Sequence, residues 1–189
     1  MTLFQIMMLG ASAFFAFKVY EHIQTLQDPE SKKDKHSPSS FDPESLLLRA
    51  DEAFESGDMQ TALSLYVEAN AKEAQDADIL FKMGYILEQL GKPDEALNYY
   101  KEAAGEDKNN EYIQNAIASI YRANEEFVSA KLHLNASLNI NDKNALTYYN
   151  YGNLLVDMKH LDEAKEMYKK ALEINPDFTE AKEELLKLN

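Results

Sequence analysis

Residues 145–178 read ALTYYNYGNLLVDMKHLDEAKEMYKKALEINPDF. Large and small side chains recur through them at helical spacing, with Tyr148, Tyr151, Gly152 and Leu155 in the first half and Ala164, Tyr168, Ala171 and Pro176 in the second. The same register returns upstream at a period of 34 residues. Stepping back from Gly152 reaches Ala118, Gly84 and Ala50, all small, and from Ala164 it reaches Ala130, Ala96 and Ala62. From Tyr168 the step gives Leu134, Tyr100 and Tyr66, and from Ala171 it gives Ser137, Ala103 and Ala69. One such pattern arises by chance, but a register shared by successive copies does not. Small residues mark where two helices approach closely and large ones fill the space between them. The spacing therefore predicts four helix-turn-helix units without insertions, over residues 43–76, 77–110, 111–144 and 145–178.

The unit boundaries carry their own signals. Asp42-Pro43-Glu44 reads as a helix start, with Asp42 as N-cap and Pro43 in the first turn, where a missing N–H costs nothing. Gly57 and Gly91 share one place in their repeats, suited to a turn with positive φ, whereas Glu125 and Lys159 stand there later. Those later turns are expected either to be strained or to end without a left-handed residue. Met59, Phe127 and Leu161, which open second helices, are expected to pack back on the turn. Residues 179–189 form one more amphipathic helix with Ala181, Leu185 and Leu188 inward, capping the open end of the stack.

The pattern Tyr148-x2-Tyr151-Gly152-x2-Leu155, Ala164-x3-Tyr168, Ala171 and Pro176 resembles the tetratricopeptide repeat (TPR), with Tyr148 where Trp is usual. The resemblance covers roughly three quarters of the chain and implies an all-α, right-handed solenoid whose first helices line a concave groove. Carried over position by position, it implies a partner-binding face made of Leu47 and Asp51 in the first repeat and Phe81, Tyr85 and Glu88 in the second. Tyr112, Asn115, Ser119 and Arg122 follow in the third, and Tyr149 and Asn153, with neighbouring Asn150, in the fourth. Phe54, Glu55, Asp78, Gln89, Leu146 and Val156 complete the face. Rings supply contact area and Asn side chains can pair with a peptide backbone, a surface suited to an extended peptide or a helix. The competing reading has the Tyr and Phe rings packing between repeats. Of the two, Asn115, Asn150 and Asn153 are the better guides to an open groove, because burying an amide is costly. TPR domains that clamp the C-terminal carboxylates of heat-shock chaperones use a Lys and an Asn in the first repeat. Leu47 and Asp51 stand at the matching places here, and an acid there repels a carboxylate.

Ahead of the repeats, Thr2 to Tyr20 are apolar except for Gln5, Ser12 and Lys18. As a helix this run spans about 28 Å, close to a bilayer core. Residues 1–27 are read as a transmembrane helix and its extension, anchored through Phe4, Ile6, Leu9, Phe14, Phe17 and Tyr20, with 28–42 a flexible tether rich in Ser, Lys and Asp. A cleaved signal peptide is the alternative, since Ala11-Ser12-Ala13 has the form of a cleavage site. Against it, Met1–Gln5 lacks Lys and Arg. Lys18, Lys32, Lys33 and Lys35 follow the span and none precedes it, which places the repeats on the cytoplasmic side. Ser12 and Ala16 offer one small-xxx-small face, so homo-oligomerisation is open.

Several function classes are disfavoured. Net charge is −14, and the chain after residue 42 holds 15 basic against 28 acidic groups. Acid spread this evenly repels phosphate backbones, so no nucleic-acid partner is expected. With no cysteine there is no disulfide or thiolate site. His22, His36, His133 and His160 stand far apart and are read as surface or turn residues rather than metal ligands. Gly91-Lys92-Pro93 lacks the spacing of a phosphate loop. No catalytic constellation is present, so the expectation is a non-enzyme without cofactor or metal.

The leading reading is a membrane-anchored adaptor that holds an apolar, somewhat basic protein or peptide at the cytoplasmic face of a bacterial inner membrane. A mitochondrial outer-membrane receptor shares that layout. Other readings are an envelope chaperone or assembly factor with periplasmic repeats, a subunit of an enzyme complex with catalysis in trans, and a self-assembling scaffold.

Overall fold

The computed structural model describes residues 42–72 and 76–188, which hold nine α-helices and no strand. The expected membrane span over 1–27, with Phe4, Ile6, Leu9, Phe14, Phe17 and Tyr20, lies outside the described residues, as does the tether up to residue 41. Among the described residues no helix is long and apolar enough to cross a membrane.

The helices come in pairs: α1 (Pro43–Glu55) with α2 (Met59–Lys72), α3 (Ala77–Gln89) with α4 (Pro93–Glu106), α5 (Glu111–Ala123) with α6 (Phe127–Ile140), and α7 (Ala145–Asp157) with α8 (Leu161–Ile174). A last helix, α9 (Thr179–Lys187), packs on α8. Each second helix also packs on the first helix of the next pair, which makes a linear stack.

Capping explains where the first helices begin. Asp42, Asp76, Asn110 and Asn144 occupy one place in the period, and each accepts backbone N–H groups of the turn that follows. The oxygen of Asp42 takes the N–H of Ser45 at 2.8 Å and that of Asp76 takes Asp78 at 2.7 Å. Such caps satisfy donors that the helix itself leaves orphaned, each contributing about 1 kcal/mol.

All four hairpin turns close in the same way. Gly57, Gly91, Glu125 and Lys159 have φ of 82°, 74°, 61° and 63°. The N–H of the next residue returns to a carbonyl five residues back, as from Lys92 to Leu87 at 2.8 Å and from His160 to Leu155 at 2.8 Å. The expectation that the later turns end without a left-handed residue is therefore corrected in favour of its strained alternative. Antiparallel packing of the two helices sets the turn, and the side chain present conforms to it.

Two large clusters form the core of the first three pairs. Leu46, Leu65, Tyr66, Met83 and Ile86 fill one, and Leu80, Leu87, Tyr100, Ile113, Ile117 and Ile120 the other. Further along, Ala118, Ala130, Leu134 and Leu154 make a smaller cluster, and Leu155, Ala164 and Tyr168 a last one. Met59 and Phe127 join their clusters as expected, whereas Leu161 is 46% exposed. In α9 Ala181 is fully buried, and Leu185, with Leu188 just after the helix, packs on the cluster of Tyr168 and Leu155, so this helix covers the fourth pair.

Candidate partner-binding groove

The residues proposed to face a partner divide by what the fold does with them. Tyr85, Tyr112 and Leu146 are 40%, 53% and 37% exposed, a substantial apolar surface on α3, α5 and α7. Phe81 and Tyr149 do otherwise. Phe81 rests on Tyr100 with ring centroids 5.3 Å apart, and Tyr149 sits between Tyr168 and Phe178 at 6.0 and 5.0 Å. These two rings are packed rather than open, but on rings of their own repeats and not between repeats as the competing reading had it. Leu47 is half-buried against the first core cluster.

Three of the polar residues serve a recurring tyrosine of the second helices. Tyr66 donates its hydroxyl to Asp51, Tyr100 to Glu88 at 2.7 Å and Tyr168 to Asn153 at 2.7 Å. Burial and, for the first two, the accepting carboxylate push these phenols above their ordinary range, so they remain donors. The carboxylate of Asp51 also takes Lys82 at 2.6 Å. Burial alone would raise its pKa, but the bonds from Lys82 and Tyr66 and the lysine charge outweigh it and hold the group below the usual range. Asp51 therefore sits in the first repeat as an ionised, half-exposed acid.

Asn115 departs most from expectation. It is 3% exposed and does not face the groove. Its amide nitrogen shares two protons among the Glu111 carbonyl at 2.9 Å, Ser137 Oγ at 2.9 Å and Thr147 Oγ1 at 2.8 Å. Asn150 Nδ2 donates to its oxygen at 3.1 Å, and Ser137 and Thr147 are 2.9 Å apart. Burial of the amide is tolerable because nearly every polar atom in the cluster is paired. This network joins α5, α6 and α7, and α5 and α7 are the first helices in most extensive mutual contact. At its edge Glu111 accepts from Asn141 at 2.9 Å and Asn144 at 3.4 Å, and the Asn141 bond, against some burial, lowers its pKa.

Sequence reasoning missed Ser137 and Thr147 as partners of Asn115. The signal was present: Ser137 interrupts a series of alanines, and Leu134 a series of tyrosines, in the same repeat. His133 is likewise no surface residue. It is half-buried, pairs with Gln114 at 2.8 Å and stacks on Tyr121 at 5.5 Å. Burial, with Lys101 nearby, lowers its pKa.

Ser119, Arg122 and Asn150, with Ala118 and Leu134, surround a small opening. Arg122 meets Asp157 across the third and fourth repeats at 3.0 Å. Among the described residues no three His, Cys, Asp or Glu side chains are grouped to hold a metal ion.

Comparison with known proteins fits this architecture. Two models described as tetratricopeptide repeat match residues 53–120 and 145–178. BBSome complex member BBS4 of Mus musculus is 33% identical over 124 residues, which are 66% of this chain and 24% of that protein. RNA polymerase II-associated protein 3 of Homo sapiens is 29% identical over 138 residues, 70% of this chain and 21% of that one. The chain thus spans about a quarter or less of the length of these relatives. Among solved structures, the first TPR of Spaghetti (RPAP3) bound to the HSP90 peptide SRMEEVD has a TM-score of 0.57 at 29% identity, covering 61% of this chain and 92% of that one. YrrB, a TPR protein with an unusual peptide-binding site, has a TM-score of 0.68 at 19% identity over 77% and 75% of the two chains, a likeness of fold.

Proposed function

We propose, from the membership of this chain in the tetratricopeptide repeat family, that it is a membrane-anchored adaptor: its groove binds a protein or peptide and its first 27 residues hold the complex at a membrane. It binds rather than catalyses, and needs no cofactor. The observation that carries the reading is the exposure of Tyr85, Tyr112 and Leu146 on the first helices, at places where the family's groove lies. Large apolar side chains left open on successive first helices suit a partner, and tyrosine supplies contact area at low entropic cost.

Charge narrows the partner. The first TPR of Spaghetti (RPAP3) is bound to the HSP90 peptide SRMEEVD, an acidic sequence. Here Asp51 stands in the first repeat, Glu88 in the second, and Lys82 and Arg122 are already engaged by Asp51 and Asp157. An apolar segment with basic flanks suits this face better than an acidic tail.

The test is affinity capture of full-length protein from solubilised membranes, wild type beside Y85S/Y112S. Partners recovered with the wild type should be lost with the variant, and equal recovery of every partner would refute the groove. For the anchor, the full-length chain should resist carbonate extraction from membranes, with its repeats open to protease from the cytoplasmic side; release into the supernatant would refute anchoring.

A further inference from the structure

Three repeats close their inner face with a tyrosine hydroxyl, held by Asp51, Glu88 or Asn153. In the third, Leu134 takes the tyrosine's place, with no hydroxyl to offer. The small opening floored by Ala118 and Leu134 and rimmed by Ser119, Arg122 and Asn150 is what remains. It has room for a group about the size of one water or one methyl.

The rim is polar yet locally balanced. Ser119 can donate and accept. Asn150 has committed one amide proton to Asn115, leaving its other proton and its oxygen. Arg122 is paired with Asp157 at 3.0 Å. A partner's cation would meet Arg122, and a carboxylate would have to compete with Asp157 for that same guanidinium within a chain of net charge −14. The opening therefore selects a small, neutral group that both donates and accepts hydrogen bonds.

We propose that this opening is a side-chain subsite for a serine or threonine of the bound segment, whose hydroxyl takes the place that a tyrosine hydroxyl has in the other repeats. This rests on the peptide-binding reading above. An alanine leaves the rim unpaired, and a larger side chain does not enter.

The experiment probes detergent-solubilised full-length protein against immobilised nine-residue peptides of apolar and basic composition, each position fixed in turn as Ser, Thr, Ala, Val, Asp, Lys or Phe. Wild type should prefer Ser or Thr at one position by about fivefold over Ala and Phe, the scale of one net hydrogen bond. Two variants should lose that preference while keeping preferences elsewhere. A118G/L134Y rebuilds the glycine-tyrosine pair of the second and fourth repeats, and S119L plugs the opening from its rim without touching the buried core. Preference retained in S119L overturns the subsite even if the double variant fails to fold. Wild-type binding with no Ser or Thr preference overturns it too, leaving the groove standing. No wild-type binding to any peptide overturns the peptide reading and the subsite together.

Discussion

The second and fourth repeats join their two helices by one device and the third by another. In the former, Gly84 and Gly152 let the rings of Tyr100 and Tyr168 lie directly on the backbone, so that an added Cβ would stand 2.6 and 2.4 Å from ring carbons. In the third, Ala118 and Leu134 share one apolar cluster instead, and the polar network of Asn115, Ser137, Thr147 and Asn150 bridges to the next repeat. Glycine with tyrosine and alanine with leucine are thus two solutions to one close approach. The first repeat shows that the pairing is not absolute, since Ala50 and Tyr66 coexist, both fully buried. The third repeat thus trades ring area for hydrogen bonds at its seam and leaves an opening on its inner face.

That contrast can be broken most severely at Asn115. Replacement by Ala strands the polar groups around it and should destabilise the repeats by about 3 kcal/mol in chemical denaturation. A loss under about 1 kcal/mol would mean that the network is ornamental to the fold. Next comes Gly152→Ala, expected to cost about 2 kcal/mol through overpacking against Tyr168. Combined with Tyr168→Leu, which recreates the third repeat's pair, the two changes should be less harmful than their sum, and strict additivity in a double-mutant cycle would deny the coupling. A smaller, opposite effect is expected at the turns. Lys159→Gly should stabilise by about 0.5–1 kcal/mol, because Lys159 holds a left-handed conformation that glycine adopts freely.

The smallest effect is titration of His133 at the second-to-third seam. Its folded-state pKa is lowered by burial and by Lys101, so protons bind the unfolded chain more readily. Stability is full above the ordinary histidine value and declines as pH falls through the folded one. The melting temperature should drop between pH 7.5 and 5, and His133→Gln should flatten part of that drop. Asp51 and Glu111, whose carboxyls are lowered, give up their contributions only at more acid pH, below this window. A profile unchanged by His133→Gln would show that the ring titrates as if in water.

Much of the fold was legible because repetition makes a weak signal redundant. Ala62, Ala96, Ala130 and Ala164 needed no structure to be placed at a helix contact, and all four are fully buried. The cap Asp42 and the helix after Pro176 were readable for the same local reasons. The groove was less so. Tyr85 and Tyr112 stand open while Phe81 and Tyr149 are packed, although all four occupy first-helix places with similar composition. Phe81 and Tyr149 lie on Tyr100 and Tyr168 of the second helices, whereas Tyr85 meets only the edge of Phe54, at 5.8 Å, and keeps 40% of its surface open. Asn115 was read by its polarity, but polarity predicts exposure only when no partners wait inside.

Period, register and close approaches follow from residues a few positions apart that recur in every repeat, which is why they could be read without the fold. Only the tertiary structure decided which polar side chains face solvent and which face each other. That choice is made between residues 22 to 35 positions apart, as from Asn115 to Ser137, Thr147 and Asn150. A hydrogen-bond partner brought in from the next helix changes the cost of burial, and no local pattern records it.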